Sequence, residues 1–377
     1  MADNPAVLAL EIVFWCCVGL LVYTHVGYPL TLLVLARLRR TDPLPGSGAE
    51  LPTVSLIVAA YDEEAVIEQK VHNALALDYP RERFELIVAS DGSEDRTAEL
   101  AQAAGAEVLE LPRMGKAAAQ DEAVARASGE IVAFSDANSL WAPDALRTLV
   151  APLSDPGVGY VCGQVRFTQR AGGTNEEGAY WRYEMAVRAL ESRLGGITAG
   201  NGAIYAIRRA EHVAGDPYTG DLSLPFRTAK RGQRAVYVPA ALAEEPMVPS
   251  LEGEFRRKRR MMARAWGTVL RGGMLSPRGY PALFAFEIAS HRLIRYASPF
   301  LHLVALGTNI ALLGHGWIYA VTLGLQIALL LAAALAPLIP FRPFRLASYY
   351  VLTTGSIGVG LIDWLRGGTP LVWEKER

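Results

Sequence analysis

A long apolar run near the N-terminus restricts most strongly what this chain can fold into. From Ile12 to Leu35 the residues are almost all apolar, with only a few polar, glycine and proline residues among them. A helix of this length can cross a hydrocarbon layer of about 30 Å. We therefore predict a transmembrane anchor in residues 1–40. Acidic residues precede the run and arginines follow it, and this charge order predicts that the chain after residue 40 faces the cytoplasm.

The C-terminal third contains a second apolar region, and we predict transmembrane helices within residues 298–365. Its three apolar runs are Ser298–Leu313, Trp317–Leu338 and Leu346–Ile362. The third run is the weakest, and the sequence leaves open whether it crosses the membrane or only dips into it. Residues 281–297 mix basic with apolar side chains, and this pattern predicts an interfacial helix that lies on the bilayer surface.

Residues 51–270, between the two apolar regions, have the patterning of an α/β domain. Short apolar strands are predicted at 54–59, 84–89 and 131–134, and segments with helical spacing separate them. Strands that alternate with helices predict a mainly parallel sheet, with any ligand at the carboxyl ends of the strands. The formal net charge of -1 gives no support for nucleic-acid binding, which normally needs a basic surface.

Three aspartates come two or three residues after the ends of predicted strands, and we expect them to converge on one crevice. They are Asp62, Asp91 and Asp136. A cluster of carboxylates is electrostatically costly unless a cation or hydrogen-bond donors lie against it. Oxygen ligands favour a hard cation such as Mg²⁺ or Mn²⁺. The alternative is that each aspartate only caps the helix that follows it.

The sequence lacks the motifs of several other nucleotide-binding and catalytic classes. There is no G-x-G-x-x-G after the first strand and no G-x-x-x-x-G-K-[ST], which disfavours a dinucleotide dehydrogenase and a phosphate-loop ATPase. The three cysteines and the scattered histidines provide neither a disulfide framework nor a zinc site. A G-x-S-x-G hydrolase motif is also absent.

Four short motifs occur in an order that is typical of one family. They are Asp91-Gly92-Ser93, Gly115-Lys116-Ala117-Ala118, Asp136-Ala137-Asn138 and Thr219-Gly220-Asp221. In their order and spacing, over about residues 53–266, the chain resembles the inverting family 2 glycosyltransferases, and its flanking apolar segments resemble those of the membrane-bound members. The resemblance implies a GT-A fold, in which a nucleotide-sugar-binding α/β domain is followed by an acceptor-binding half.

The resemblance also implies which residues bind the nucleotide-sugar donor. These are Ala60, Asp62, Glu64, Asp91, Lys116, Asp136, Arg264 and Trp266. Asp136 would in addition bind Mg²⁺ or Mn²⁺, as the first residue of the D-x-D pattern typical of this fold. The third residue of that pattern is Asn138 in this chain. Its amide oxygen is an expected metal ligand too, although it brings less charge than a carboxylate.

Asp221 is expected to be the catalytic base. In an inverting transfer a carboxylate must remove the proton of the acceptor hydroxyl group. The family pattern is commonly Thr-Glu-Asp, and Gly220 replaces the glutamate here. Asn201 and Gly202 match the family loop on the acceptor side. The residues alone leave two alternatives, in which Asp221 caps a following helix and the Asn201–Gly202 pair forms a simple turn.

A basic run at residues 256–260 leads into Arg264 and Trp266. Cationic groups here would neutralise a leaving diphosphate, or they would face anionic lipid. Processive synthases of cellulose, chitin and hyaluronan type carry Gln-x-x-Arg-Trp at this point. This chain has Met261 in place of the glutamine, and Ala265 intervenes before the tryptophan. The difference favours a non-processive enzyme.

The sequence thus predicts an inverting, metal-dependent glycosyltransferase of hexosyltransferase type. Its donor would be a nucleoside-diphosphate sugar, UDP- or GDP-linked, and its acceptor lipid-linked or an envelope or exopolysaccharide intermediate. We expect a multi-pass protein of the inner membrane with the catalytic domain in the cytoplasm. Two alternatives are a processive polysaccharide synthase, which would make long products, and a non-catalytic nucleotide-sugar-binding membrane scaffold, which would release no nucleoside diphosphate.

Overall fold

The computed structural model describes residues 4–39, 50–168, 176–246, 251–339 and 341–367. Residues 1–3 and 40 of the predicted anchor, and 169–175 and 247–250 of the predicted domain, lie outside the described residues. Within the described residues the strands are β1 (Val54–Ala60), β2 (Phe84–Asp91), β3 (Glu107–Leu111), β4 (Ile131–Asp136), β5 (Leu140–Trp141), β6 (Val158–Thr168), β7 (Ile204–Arg208) and β8 (Arg234–Pro246).

The α-helices of the same residues are α1 (Pro5–Val22), α2 (Tyr28–Leu38), α3 (Ile67–Leu75), α4 (Thr97–Ala103), α5 (Lys116–Arg126), α6 (Ala145–Val150), α7 (Glu176–Leu194), α8 (Ser223–Lys230), α9 (Leu251–Leu270), α10 (Ala282–Glu287), α11 (Ile294–Ala311), α12 (Trp317–Leu335) and α13 (Arg342–Gly367). A π-helical turn at Tyr23–Gly27 joins α1 to α2, and another at Ile288–Leu293 joins α10 to α11.

The strands form one sheet in the order β3-β2-β1-β4-β7-β6-β8-β5. Strands β1 to β4 pair in parallel, whereas β7 runs antiparallel to both β4 and β6. The three predicted strands correspond to β1, β2 and β4. Their parallel pairing confirms the predicted α/β class, because the helices that cross between them follow the alternation seen in the sequence.

Strand β1 lies at the centre of the core and is buried along its whole length. Its alternate residues contribute to two separate hydrophobic clusters, since Leu56 packs with α3 and α4 while Ile57 packs with α5. Successive side chains of a strand point to opposite faces of the sheet. The sheet is therefore covered by helices on both faces, which explains why β1 is a continuous apolar run rather than an alternating one.

Two helices in the described part of the chain are long and apolar enough to cross a membrane. One is the 34-residue helix Pro5–Leu38, and the other is Trp317–Leu335. The predicted anchor contains the first, and the predicted run Trp317–Leu338 contains the second. The other two predicted runs lie in α11 and α13, which the structure does not place among such helices. Both also carry charged residues, such as Arg295 and Asp363.

The segment predicted as an interfacial helix contains α10, the π-turn and the start of α11. Its His291 and Arg295 side chains are buried, and both face acidic residues of α7. His291 Nδ1 lies 2.6 Å from Glu191 Oε1, and Arg295 Nη1 lies 2.5 Å from Glu184 Oε1. These charges therefore hold the segment against the α/β domain. Whether its remaining surface lies on a bilayer stays a prediction.

Glu191 also links this junction to the N-terminal helix. Tyr28 Oη on α2 donates a hydrogen bond of 2.6 Å to Glu191 Oε1, and Thr198 N donates one of 3.2 Å to Glu191 Oε2. The Glu191 carboxylate thus connects α2, α7 and the π-turn before α11. Removing one member of such a buried charge cluster typically costs about 3–5 kcal/mol, so the N-terminal helix is firmly joined to the domain.

A second glutamate at the same junction has no such partners. Glu287 is fully buried, and neither carboxylate oxygen has a hydrogen-bond partner among the described residues. Burial, and then the neighbouring Glu191 carboxylate, raise the pKa of Glu287 to about 10, although the charge of Arg39 acts in the opposite direction. Glu287 is therefore neutral at physiological pH in the folded protein.

We predict that Glu287→Gln raises the apparent melting temperature of the detergent-solubilised protein at pH 8, and raises it less at pH 5. The folded-state pKa of about 10 exceeds the unfolded value of about 4.3. The contribution of Glu287 to the free energy of unfolding is therefore complete below the unfolded pKa, and it is lost progressively as the pH rises from the unfolded to the folded pKa. Glutamine has no proton to lose. Glu68→Gln, at an exposed position of α3, is the matched control, and an unchanged pH dependence in Glu287→Gln would contradict a neutral Glu287.

Candidate active site

The carboxyl ends of β1, β2 and β4 meet at one edge of the sheet. Ala60 pairs with Ser90, and Ala59 pairs with Asp136. Asp62 and Asp91 lie within two residues of these pairs along the chain. The strand register therefore brings the three predicted aspartates to the same edge, although their carboxylates have different partners.

The Asp91 carboxylate is fully buried and holds the loop that precedes α5. It accepts hydrogen bonds from Met114 N (2.7 Å) and Gly115 N (3.0 Å), and Arg113 Nη1 forms an ion pair with it at 2.8 Å. Both carboxylate oxygens are thus already used within the protein. The resemblance assigned Asp91 to the donor, whereas in this structure Asp91 positions the 113–115 loop.

The backbone at Gly92 allows this loop to pack closely. Gly92 has a φ of +68°, and a Cβ atom there would lie 2.8 Å from Arg113 N. The Arg113 guanidinium lies over the Tyr61 ring, 3.2 Å from its centroid, in a cation–π contact. The sequence analysis did not single out Arg113. The only indication in the sequence was that Arg113 lies two residues before the Gly115-Lys116 motif.

Asp62 and Glu64 join the loop after β1 to the loop after β2. Asp62 has a φ of +51°, a conformation that no other non-glycine residue adopts in the described ranges. Its Oδ1 accepts a hydrogen bond of 2.9 Å from Glu94 N, and Glu64 Oε2 accepts one of 3.3 Å from Arg96 N. Ala60 is buried at the end of β1. Such a strained backbone persists only where its surroundings fix it, and these loops provide that support.

Asp136 is paired with Lys116 at the mouth of the site. Lys116 Nζ donates to Asp136 Oδ1, and the two side chains are 24% and 28% exposed. Lys116 is the first residue of α5, directly after the loop that Asp91 holds. Asn138 is exposed in the turn that follows β4. Lys116, Asp136 and Asn138 are thus brought to one rim of the crevice.

Glu245 and Lys70 extend this charged group, and sequence reasoning missed both. Lys70 is buried, and its Nζ donates a hydrogen bond of 2.5 Å to Ser139 O. Burial lowers the pKa of Lys70 to about 7. Burial, and then the Asp136 carboxylate, raise the pKa of Glu245 to about 7. Neither residue belongs to a short motif, because β8 and α3 meet here only through the tertiary fold.

The donor atoms at this rim suit a hard divalent cation. Asp136 and Glu245 provide carboxylate oxygens, Asn138 provides an amide oxygen, and Glu245 Oε1 is buried without a hydrogen-bond partner in the described structure. The described residues contain no group of three or more His, Cys, Asp and Glu arranged for a metal. A cation here would take further oxygens from a ligand, as Mg²⁺ often does from phosphates.

Asp221 lies two residues before the start of α8. Gly200 N donates a hydrogen bond of 2.6 Å to Asp221 O, and Asp221 Oδ2 is 4.0 Å from where a Cβ of Gly202 would be. The helix N-cap is Leu222 and has no side-chain capping bond. The capping alternative therefore fails. Within the described residues the Asp221 carboxylate forms no hydrogen bond or ion pair.

The remaining predicted residues fall into two groups, those near Asp221 and those buried in packing contacts. Asn201 is buried, and its side chain bonds to the backbone of Gly163 and Ala203. Arg264 is exposed on α9, near enough to Asp221 for their charges to interact. Trp266 is buried against Tyr296. Its Nε1 donates a hydrogen bond of 2.9 Å to the carbonyl oxygen of Ile357 on α13. The structure thus gives Trp266 and Asn201 packing contacts rather than an open face toward the crevice.

Comparison with known proteins adds three findings. The sequence model of glycosyl transferase family 2 matches residues 55–213. A beta-monoglucosyldiacylglycerol synthase of Trichormus variabilis is 31% identical over 242 residues, which cover 58% of this chain and 50% of that protein. A poly-beta-1,6-N-acetyl-D-glucosamine synthase of Staphylococcus aureus is 26% identical over 222 residues, or 55% of this chain and 53% of that protein. The chain thus spans about half the length of these curated relatives.

One solved structure shares the fold over nearly the whole chain. It is a mannosyltransferase from Pyrobaculum calidifontis, in complex with GDP-Man and Mn²⁺. The TM-score is 0.70 at 23% sequence identity, and the match covers 94% of this chain and 99% of that one. The shared architecture confirms the predicted GT-A fold.

We predict that Gly92→Ala loosens the 113–115 loop, whereas Gly232→Ala does not. Both glycines have a positive φ, +68° and +79°, so alanine costs about 1–2 kcal/mol at each. Nothing lies within 4 Å of a Cβ at Gly232, whereas a Cβ at Gly92 meets Arg113. The melting temperature should fall further in Gly92→Ala, and trypsin should cleave after Arg113 faster in that variant alone. Equal effects in both variants would contradict this packing.

Proposed function

We propose that this chain, whose residues 55–213 match the model of glycosyl transferase family 2, is an inverting, metal-dependent hexosyltransferase. Its donor is a nucleoside-diphosphate sugar, and its acceptor is lipid-linked or a saccharide at the membrane. One observation carries the proposal. The Asp221 carboxylate forms no hydrogen bond or ion pair among the described residues, and burial, then Asp221 and then Asp136, raise the pKa of Tyr205. A candidate base and the Asp136–Lys116 pair are therefore near the same side chain.

The donor nucleotide is held at the edge formed by β1, β2 and β4. Asp62 and Glu64 accept hydrogen bonds from N–H and O–H groups of the base and ribose. The 113–115 loop, which Asp91 holds, lies beside the nucleotide. Lys116 binds the diphosphate, and the diphosphate competes with Asp136 for the Lys116 ammonium group. The complex of the Pyrobaculum mannosyltransferase with GDP-Man and Mn²⁺ supports this class of donor and metal.

Asp136 and Asn138 are the proposed metal ligands on β4 and its following turn. When bound, Mg²⁺ or Mn²⁺ supplies positive charge that stabilises the departing nucleoside diphosphate. Arg264 supports the same charge from α9, because its guanidinium is exposed and forms no hydrogen bond or ion pair within the described structure. Cationic groups directed at developing phosphate charge are a common source of rate enhancement.

Asp221 acts as general base in a single displacement. The acceptor hydroxyl oxygen forms a bond to the anomeric carbon of the donor sugar while the bond from that carbon to the diphosphate oxygen breaks. The hydroxyl proton passes to Asp221, and the configuration at the anomeric carbon inverts. Gly202 lies beside Asp221, because a Cβ atom at residue 202 would be 4.0 Å from Asp221 Oδ2.

The acceptor is proposed to reach the site from a membrane. The helices Pro5–Leu38 and Trp317–Leu335 expose large apolar side chains, among them Trp317 at 76% exposure, which a bilayer would cover. We propose that the protein crosses the inner membrane more than once, with the catalytic domain in the cytoplasm. The relatives named as a glucosyldiacylglycerol synthase and a poly-N-acetylglucosamine synthase support lipid and saccharide acceptors respectively.

We predict that one nucleoside diphosphate stabilises the detergent-purified protein against heat only when Mn²⁺ is present. A ligand at a hundred times its Kd adds about 2.7 kcal/mol to the free energy of unfolding. Asp136→Asn should lose this stabilisation, whereas Asp144→Asn, at an exposed position near α6, should keep it. The measurement is a thermal-shift series with UDP and GDP. Absence of stabilisation by both would count against the proposed donor site.

We predict that Asp221→Asn lowers sugar transfer about 10²–10⁴-fold, the range typical of a lost general base. Nucleotide-dependent stabilisation should persist in this variant, because Asp221 faces the acceptor. Transfer is measured as nucleoside diphosphate released from UDP- and GDP-sugars with membrane lipids as acceptor, and Asp144→Asn is again the control. Full transfer by Asp221→Asn would refute the assignment. Mass spectrometry of the products separates single addition from the ladder of a processive synthase.

A further inference from the structure

Glu245 lies beside the metal-binding turn although it is more than a hundred residues away in the chain. Strand β8 pairs antiparallel with β5, where Leu140 is opposite Glu244 and Trp141 is opposite Ala243. Continuing this register places Glu245 alongside Ser139, within the turn that connects Asp136 to β5. The pairing of β5 with β8 therefore fixes Glu245 next to the proposed metal ligands.

The two neighbouring glutamates of β8 have different environments. Successive residues of a strand point to opposite faces, and Glu244 is exposed whereas Glu245 is partly buried. Oε1 of Glu245 is inaccessible to solvent and has no hydrogen-bond partner in the described part of the chain. Leaving such a group unpaired costs about 1–3 kcal/mol or more. Glu244 thus provides a chemically identical control at the adjacent position.

Two of the charged groups around Glu245, those of Asp136 and Lys116, belong to the proposed donor site. The Asp136 carboxylate is the neighbour that acts most strongly on it, followed by Lys116, Arg257 and Lys70. Lys70 lies beneath the turn, bonded to Ser139 O and 5.2 Å from the centroid of the Trp141 ring. Two carboxylates so placed repel each other, and a divalent cation between them would relieve that repulsion.

We propose that Glu245 is a ligand of the divalent cation together with Asp136, and that it supplies the second carboxylate that the sequence lacks at Asn138. The proposal rests on the proposed function, since the cation is the one that accompanies the nucleotide. It explains how a site with Asn in the third position of the D-x-D pattern keeps two negative ligands. The second carboxylate comes from β8, across the sheet, instead of from the turn after β4.

The test is the affinity for Mn²⁺ of the full-length, detergent-purified protein with saturating GDP or UDP. Free Mn²⁺ is measured by its electron paramagnetic resonance signal. We expect Glu245→Gln to weaken Mn²⁺ binding at least about tenfold, and Glu244→Gln to leave it unchanged. Asn138→Asp in the Glu245→Gln background should restore part of the affinity, because it returns the missing carboxylate to the turn.

The competing role for Glu245 is that of a counter-ion for Lys70. The same variants distinguish this role from that of a metal ligand. Glu245→Asp keeps the negative charge but moves the carboxylate by one methylene. Weaker Mn²⁺ binding at an unchanged melting temperature supports the ligand role. A lower melting temperature in Glu245→Gln with unchanged Mn²⁺ affinity overturns the proposal and leaves the proposed function intact. Failure of the parent protein to bind nucleotide with Mn²⁺ overturns both.

Discussion

The parallel pairing of β1 with β2 and β4 is the constraint on which the rest of this structure depends. It aligns Ala59 with Asp136 and Ala60 with Ser90, so that loops from three different strands end at one edge. Because both faces of this sheet are covered by helices, the register cannot shift without exposing buried side chains. The polar residues of the site can therefore be strained and mutually repulsive, since the core that fixes their positions lies in the strands behind them.

Two kinds of buried carboxylate occur in this protein, and their partners explain the difference. Asp91 and Glu191 are surrounded by N–H, O–H and cationic groups, and each holds separate segments together. Glu245 Oε1 and both oxygens of Glu287 have no partner in the described structure. A fully satisfied carboxylate stabilises the fold, whereas an unsatisfied one is costly. Protonation removes the charge of Glu287 but leaves its oxygens unpaired, so the cost is reduced to that of a neutral buried polar group. For Glu245 we have proposed a cation instead.

Much of the fold and part of the site could be predicted from the sequence, for physical reasons that differ between elements. Strand β1 was predictable because a strand covered on both faces must be a continuous apolar run. The position of Asp136 at the end of β4 was predictable from the apolar run before it, whereas the roles of Asp136 and Asp221 stay predictions. Glu245 and Arg113 were not, because their contacts come from β8 and from a loop that no local pattern describes. Trp266 stands two residues after Arg264 in the sequence, but its indole N–H donates to a carbonyl of α13.

The segment from Thr198 to Gly202 connects the junction of α2, α7 and the π-turn before α11 to the proposed base. Thr198 Oγ1 accepts a hydrogen bond of 2.9 Å from Arg292 Nε, and Thr198 N donates to Glu191. Two residues later, Gly200 N donates to Asp221 O. The same short stretch is thus bonded at one end to the junction of α2, α7 and α11, and at the other to the turn that carries Asp221. The position of Asp221 relative to the apolar helices is therefore set by hydrogen bonds along this segment.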